Sequence, residues 1–303
     1  MRTTTFIIVI ICMYGCGLSS QNDVNPGFFE AKYTVPYQLN TPTQIMKMDK
    51  QLVEISGLAY SNSKNKLYAI NDEDALIFVI DPLSGSILKK YDFGKSDDYE
   101  GVAIYDNTIY VSESNGNIKL INETDGKKYD EYDDRLSRKN NVEGLCYNSV
   151  NKKLLMAAKG NSEIDGNDKN FKSIFEMNLS DGQISKTPYI QHDLQEAIKN
   201  LEPKYISENK IINLSFSSRI NKYGPSGVAV HPISKDIYIL SAQGKMLVIS
   251  SQEGKINAVI FLKNSLHVQP EGITFSSDGS LYISNEGKSG KGLIYRYDMK
   301  QSN

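Results

Sequence analysis

Histidine and cysteine are scarce in this chain, three of each among 303 residues, and tryptophan is absent. Zinc centres are built from clusters of the first two residue types. Neither His192, His231 nor His267 has a partner at metal-ligand spacing. A nucleophile elbow and a phosphate-cradling glycine loop are missing as well, which removes the commonest hydrolase and nucleotide-binding signatures. There is no excess of positive charge: 34 Lys and Arg stand against 36 Asp and Glu, for a net charge of −2. The electrostatic footprint of a nucleic-acid binder is therefore lacking. No apolar run approaches the roughly 20 residues that a membrane-spanning helix needs.

The one apolar run of note is short and N-terminal, from Phe6 to Met13, preceded by a single charge at Arg2. Its proportions are those of a signal-peptide core. The run ends in Met13-Tyr14-Gly15-Cys16, which resembles the lipobox that directs lipidation of a cysteine in bacterial export. Residues 1–15 are expected to be the signal peptide. Residues 16–30 are read as a lipidated Cys16 followed by a polar tether, with plain secretion as the other reading. Cys12 would leave with the signal and Cys16 would carry lipid, so only Cys146 remains and no intramolecular disulfide can form. The expected location is the bacterial cell envelope, on the outer membrane facing the periplasm or the surface, with the membrane contacted through the lipid.

What the chain does have is 22 glycines, 19 tyrosines and a repeat. Five segments share a polar residue, a glycine and an apolar residue in that order, around Gly57, Gly101, Gly144, Gly227 and Gly272, spaced 44, 43, 83 and 45. A second apolar run follows each, such as Leu67-Tyr-Ala-Ile70 and Leu281-Tyr-Ile283, across turn formers such as Ser276-Ser-Asp-Gly279. Each pair reads as a hairpin. Third and fourth runs complete a unit of about 40–45 residues, the size of one four-stranded propeller blade. The spacing predicts an all-β chain, a β-propeller of five four-stranded blades over 31–303, with six blades as the alternative because 83 is close to two periods. We favour an insertion at about 160–222, in which Phe171–Asn178 supplies a delayed third strand and Asp193–Leu201 a short helix. The C-terminus stops one strand short, so a strand from Ala31 to Leu39 is expected to close the last blade. Two positions after each glycine stand Ala59, Ala103, Cys146, Ala229 and Thr274, all small, which makes Cys146 a packing residue rather than a reactive thiol.

The segment Gln269-Pro-Glu-Gly-Ile-Thr-Phe-Ser-Ser-Asp-Gly-Ser-Leu-Tyr-Ile-Ser-Asn-Glu286, with Ile294-Tyr-Arg-Tyr297 after it, resembles the SdiA-regulated family of bacterial envelope propellers. Pro225-Ser-Gly-Val-Ala-Val-His-Pro232 and Glu54-Ile-Ser-Gly-Leu-Ala-Tyr60 are similar to family segments in the same order. The resemblance covers about residues 33–298 and implies five blades; it implies no particular activity. Gly160 and Gln243 stand where the family often has glutamate after the second strand.

In a propeller, the starts of first strands and the ends of second strands meet at one mouth of the channel. That register collects Ser56, Glu100, Glu143, Ser226 and Glu271 before the glycines, and Glu113, Lys159 and Glu286 at second-strand ends. Crowded carboxylates take up a cation, pair with a lysine or hold their protons. A divalent ion, Ca²⁺ or Mg²⁺, would sit among Glu100, Glu143 and Glu271. The plainer reading has the glutamates bonding backbone N–H groups between blades. His231 is expected exposed in a turn and His192 in the insertion, while His267 is a weak candidate base near the rim. Asn161–Gly166 imitates the start of a calcium loop but lacks the final Glu, with Lys172 in its place, and is read as a solvated loop. Two functions follow: an envelope scaffold that binds a small polar ligand or an envelope protein, or a metal-dependent hydrolase of phosphate esters or lactones. An acidic rim disfavours phosphate, and the first leads.

Overall fold

The computed structural model describes residues 25–133, 136–203, 216–288 and 290–300. Residues 1–24 lie outside them, so the signal peptide and Cys16 are expectations from sequence alone.

Five antiparallel sheets form a five-bladed propeller. Two short strands come first, β1 (Gly27–Phe29) and β2 (Gln44–Lys47). Blade one is β3 (Ile55–Ser61), β4 (Lys66–Asn71), β5 (Leu76–Ile80) and β6 (Ile87–Asp92). Blade two is β7 (Tyr99–Tyr105), β8 (Thr108–Glu113), β9 (Ile118–Asn122) and β10 (Lys128–Tyr132). Blade three is β11 (Val142–Asn148), β12 (Lys153–Ala158), β13 (Lys172–Asn178) and β14 (Ile190–His192), then helix α1 (Leu194–Ala197) and the two-residue β15 (Glu202–Pro203). Blade four is β16 (Gly227–Val230), β17 (Ile237–Ser241), β18 (Met246–Ser250) and β19 (Ile256–Phe261). Blade five is β20 (Pro270–Phe275), β21 (Leu281–Asn285) and β22 (Leu293–Tyr297), completed by β2. The span between the third and fourth glycines is thus one blade with insertions.

An N-terminal strand does close the last blade, but it is not the expected stretch. β2 pairs antiparallel with β22, with Ile45 opposite Tyr295. Ala31–Leu39 instead wedges between blades four and five, where Tyr37 and Leu39 are buried in their shared core. Pro36 has no N–H to give a ladder, and its carbonyl accepts from Lys300 N instead. The tether reading of 16–30 also ends early. β1 pairs with β19 and with β15, widening blade four to six strands.

The core is divided as a propeller requires, into five apolar clusters. Each lies between adjacent blades, as where Tyr68, Ile70, Ile77 and Phe93 of blade one meet Tyr99, Val102, Ile109 and Val111 of blade two. Tyrosines serve where tryptophan is absent, burying a ring and clipping a hydroxyl to the next blade. Tyr68 Oη donates to Glu123 Oε1 (2.6 Å), and Tyr132 Oη to the Leu179 carbonyl (2.9 Å).

The repeat glycines mark where the innermost strands meet at the axis. A Cβ on Gly227 would stand 2.5 Å from the Glu271 carbonyl oxygen, and one on Gly272 2.6 Å from that of Ser56. No side chain fits between backbones so close. The next residue in each blade, Leu58, Val102, Leu145, Val228 and Ile273, is buried. With the glycines and the mouth glutamates these residues line the axial neck, which holds about 10 Å³, room for about one water. Below the ring, the small residues Ala59, Ala103, Cys146, Ala229 and Thr274 open a separate pocket of about 160 Å³ on the far face.

Candidate functional site at the channel mouth

The first strand of most blades is bulged where it enters the channel. Pairing skips Glu100 between Tyr99 and Gly101, Glu143 between Val142 and Gly144, and Glu271 with Gly272 between Pro270 and Ile273. A bulge leaves one residue unpaired and re-aims its side chain. The three glutamates thereby line the axial neck together with Ser226, as the repeat register predicts.

Their partners differ. Glu143 accepts from Lys159 Nζ on both oxygens (2.9 Å each) and from Asn141 Nδ2 (2.6 Å). Burial raises its pKa, opposed by Lys159. Lys159 stays a cation: burial lowers its pKa, and Glu143 more than offsets this. The Glu100 carboxyl group has no hydrogen-bond or ion-pair partner among the described residues. Burial, then the charges of Glu143 and Asp98, push its pKa up to about 9. Glu271 rises to about 8 through burial, then Glu143 and Glu286. At neutral pH the centre of the mouth therefore presents two protonated carboxyl groups beside one Glu–Lys pair, and carries little net charge.

The serines of the same register do something else. Ser56 Oγ donates to the Glu100 carbonyl (2.9 Å) and Ser226 Oγ to that of Pro270 (3.0 Å), each crossing to the next blade. The stitching role that the plainer reading gave to the glutamates belongs to these serines. Glu113 is not at the mouth centre; it turns outward within its own blade to Lys119 (2.8 Å). Glu286 lies at the periphery, its pKa raised by burial and then, despite a bond from Gln269, by Asp72 and Glu54.

Among the described residues no three His, Cys, Asp or Glu are grouped so as to hold a metal ion. Glu100, Glu143 and Glu271 share the mouth without forming an ion cage, and Lys159 already occupies the charge of Glu143. His267 is fully buried, bonded to Tyr297 Oη (3.0 Å), and burial lowers its pKa to about 4, so it does not face the rim as a base. His231 is buried rather than exposed. Its Nε2 meets Tyr37 Oη (2.8 Å), the wedge that the sequence reading took for a strand. His192 is buried as well. In the Asn161–Gly166 loop, Asn161 and Ser162 are buried and tied to the Gly166 and Asp168 carbonyls, leaving only its acidic residues to solvent. Burial pushes the Cys146 thiol well up, as suits a packing residue.

Three site residues escaped the sequence reading: Asp98, Asn141 and Gln269. Each lies two positions before a mouth glutamate, hence on the same side of its strand. Asn141 bonds Glu143, Gln269 bonds Glu271, and Asp98 acts on Glu100 through its charge. The signal was available as a polar residue three before the repeat glycine.

The SdiA-regulated family model matches residues 30–289. The chain belongs to this family. No curated protein matches it in sequence. Among solved structures, this SdiA-regulated propeller is similar to the glutaminyl cyclase of Myxococcus xanthus, with TM-score 0.55 and 9% identity over 87% of this chain and 97% of that one. The PQQ-bound aldose sugar dehydrogenase of Streptomyces coelicolor gives 0.50 and 13% over 86% and 98%. A luciferin-regenerating enzyme gives 0.50 and 10% over 87% and 98%. At such identity the likeness is one of fold, and a propeller fold does not fix a function.

Proposed function

We propose that this protein is a lipid-anchored envelope propeller that binds a small polar ligand at the mouth around Glu100, Glu143, Glu271 and Lys159. The observation that carries the reading is the convergence of Glu100, Glu143, Glu271 and Ser226 on the axial neck, with Lys159 paired to Glu143 beside them. Glu100 and Glu271 are O–H donors at neutral pH, held at the entrance of a channel that is shut just below them. Both side chains are half-buried, so they reach the opening and can donate to an acceptor that enters there. A ligand rich in hydroxyl, carbonyl or amide oxygens supplies that. The Lys159–Glu143 pair adds a fixed donor and acceptor at a defined spacing. Docking of an envelope protein on the same rim is the alternative.

The test is a panel of sugars, polyols and amides screened by thermal shift on the full-length protein at pH 7. At least one compound should raise the melting temperature, since a ligand bound only to the folded state stabilises it. Its affinity should fall at least tenfold in Glu100→Leu and decline as pH rises through 8 to 9, where the donors become carboxylates. Ligands that bind Glu100→Leu as well as wild type, or a panel with no binder, would sink the proposal.

A further inference from the structure

We propose that a groove beside the mouth, between blades three and four, binds the oxyanion group of an organic ligand, a carboxylate or a phosphate, through Lys169, Lys172 and Lys222. The inference deepens the ligand-binding reading by naming the chemical class of one end of the ligand.

The groove has a volume of about 660 Å³, within the range of small-molecule sites, and three lysines, Lys169, Lys172 and Lys222, line it against one carboxylate, Asp193. It adjoins the mouth through one residue. Lys172 Nζ donates to the Lys159 carbonyl (2.7 Å), while Lys159 Nζ reaches the other way to Glu143 (2.9 Å). The two carboxylates nearby keep their charge but bond the backbone rather than the lysines. Asp193 accepts from Glu196 N (3.0 Å) and Asp168 from Asn170 N (2.7 Å). Three ammonium groups therefore face a polar hollow without a carboxylate of the protein bonded to any of them among the described residues. Their crowding registers at Lys172, whose pKa is lowered by burial and then by Lys169 and Lys159, with Asp168 opposing less strongly.

Another sector of this face is acidic. Around blades five, one and two, Asp72 is raised by burial and then by Glu54, Glu73 and Asp98, and Glu286 by Asp72 and Glu54. A net charge of −2 conceals a face divided into an acidic and a basic part. Gln243, just after the second strand of blade four, lines the groove without adding a charge. A ligand that offers acceptors to Glu100 and Glu271 and an oxyanion to the groove matches the whole surface.

The test is calorimetric titration of the full-length protein at low ionic strength with inorganic phosphate and, separately, succinate. Wild type should bind at least one saturably, more weakly as salt rises, and the stronger of the two names the oxyanion. The double variant Lys169→Gln/Lys222→Gln alters exposed side chains, so its melting temperature should hold while the dissociation constant rises at least tenfold. Lys152→Gln, on the opposite face, should leave binding unchanged. The two anions are titrated alone, so failure of the neutral-ligand panel at the mouth leaves this result readable. No saturable binding of either anion at millimolar concentration, equal affinity in the double variant, or equal weakening by Lys152→Gln would each overturn the proposal.

Discussion

Glu100 is the residue whose surroundings and chemistry are most at odds with its usual behaviour. Aqueous glutamate is charged above pH 5, yet burial and two neighbouring carboxylates hold this one protonated to about 9. The folded protein therefore keeps a proton that the unfolded chain releases above about 4.5. The stabilising proton is fully present in both states below the unfolded value. Stability then falls as pH rises from there through the folded value, and Glu271, raised to about 8, contributes in the same direction. Glu100→Gln fixes the neutral form. The variant should melt close to wild type at pH 5 and above it at pH 9, by several degrees, in otherwise identical buffer. Parallel melting curves for the two proteins across that range would show that Glu100 is ionised in the fold. The position of this residue was legible from the repeat, since every mouth glutamate precedes a repeat glycine. Its protonation was not, because it depends on which neighbours point inward. Glu113 shows why: it ends a second strand as the register requires, but Lys119, on the adjacent strand of the same blade, draws its side chain away.

At the scale of the strand, the hairpins could be read from alternating apolar runs and turn residues, and the delayed third strand β13 came out where expected. Closure could not be read so well. β2 is four residues long, with one buried side chain, Met46, and an exposed Ile45, so it carries almost no pattern of its own. Ala31–Leu39 has the richer apolar content and was the more persuasive strand, but Tyr37 and Leu39 are spent on a wedge held by His231. A chain beginning at Glu30 lacks β1 and loses Phe28 and Phe29 from the outer edge of blade four. A chain beginning at Met48 also lacks β2, and with it Met46, Tyr37 and Leu39, each worth about 1.5–3 kcal/mol when fully buried. The first truncation should lower the melting temperature by a few degrees. The second should lower it by at least 10 °C or aggregate through the bared edge of β22, since unpaired edges recruit other strands. Equal stability of the two truncations would mean that β2 does not close the ring.

For the whole molecule, the membrane association remains to be tested at Cys16. Replacing Cys16 by Ser should move the protein from the membrane fraction to the soluble one or leave the precursor unprocessed, as read by fractionation and intact mass. A variant that is processed and still sediments with membranes would exclude the lipid as the anchor. The sequence was silent on one further property of the whole, the seal at the axis. Repeat glycines were visible, but the apolar residue after each acquires its meaning only when five of them converge. With about 10 Å³ left at that point, the propeller is a cup rather than a pipe. The neck that separates the mouth from the pocket on the far face has room for about one water. Whatever enters at Glu100 must leave by the way it came, so arrival and departure share one doorway, and an occupant excludes its successor until it has gone.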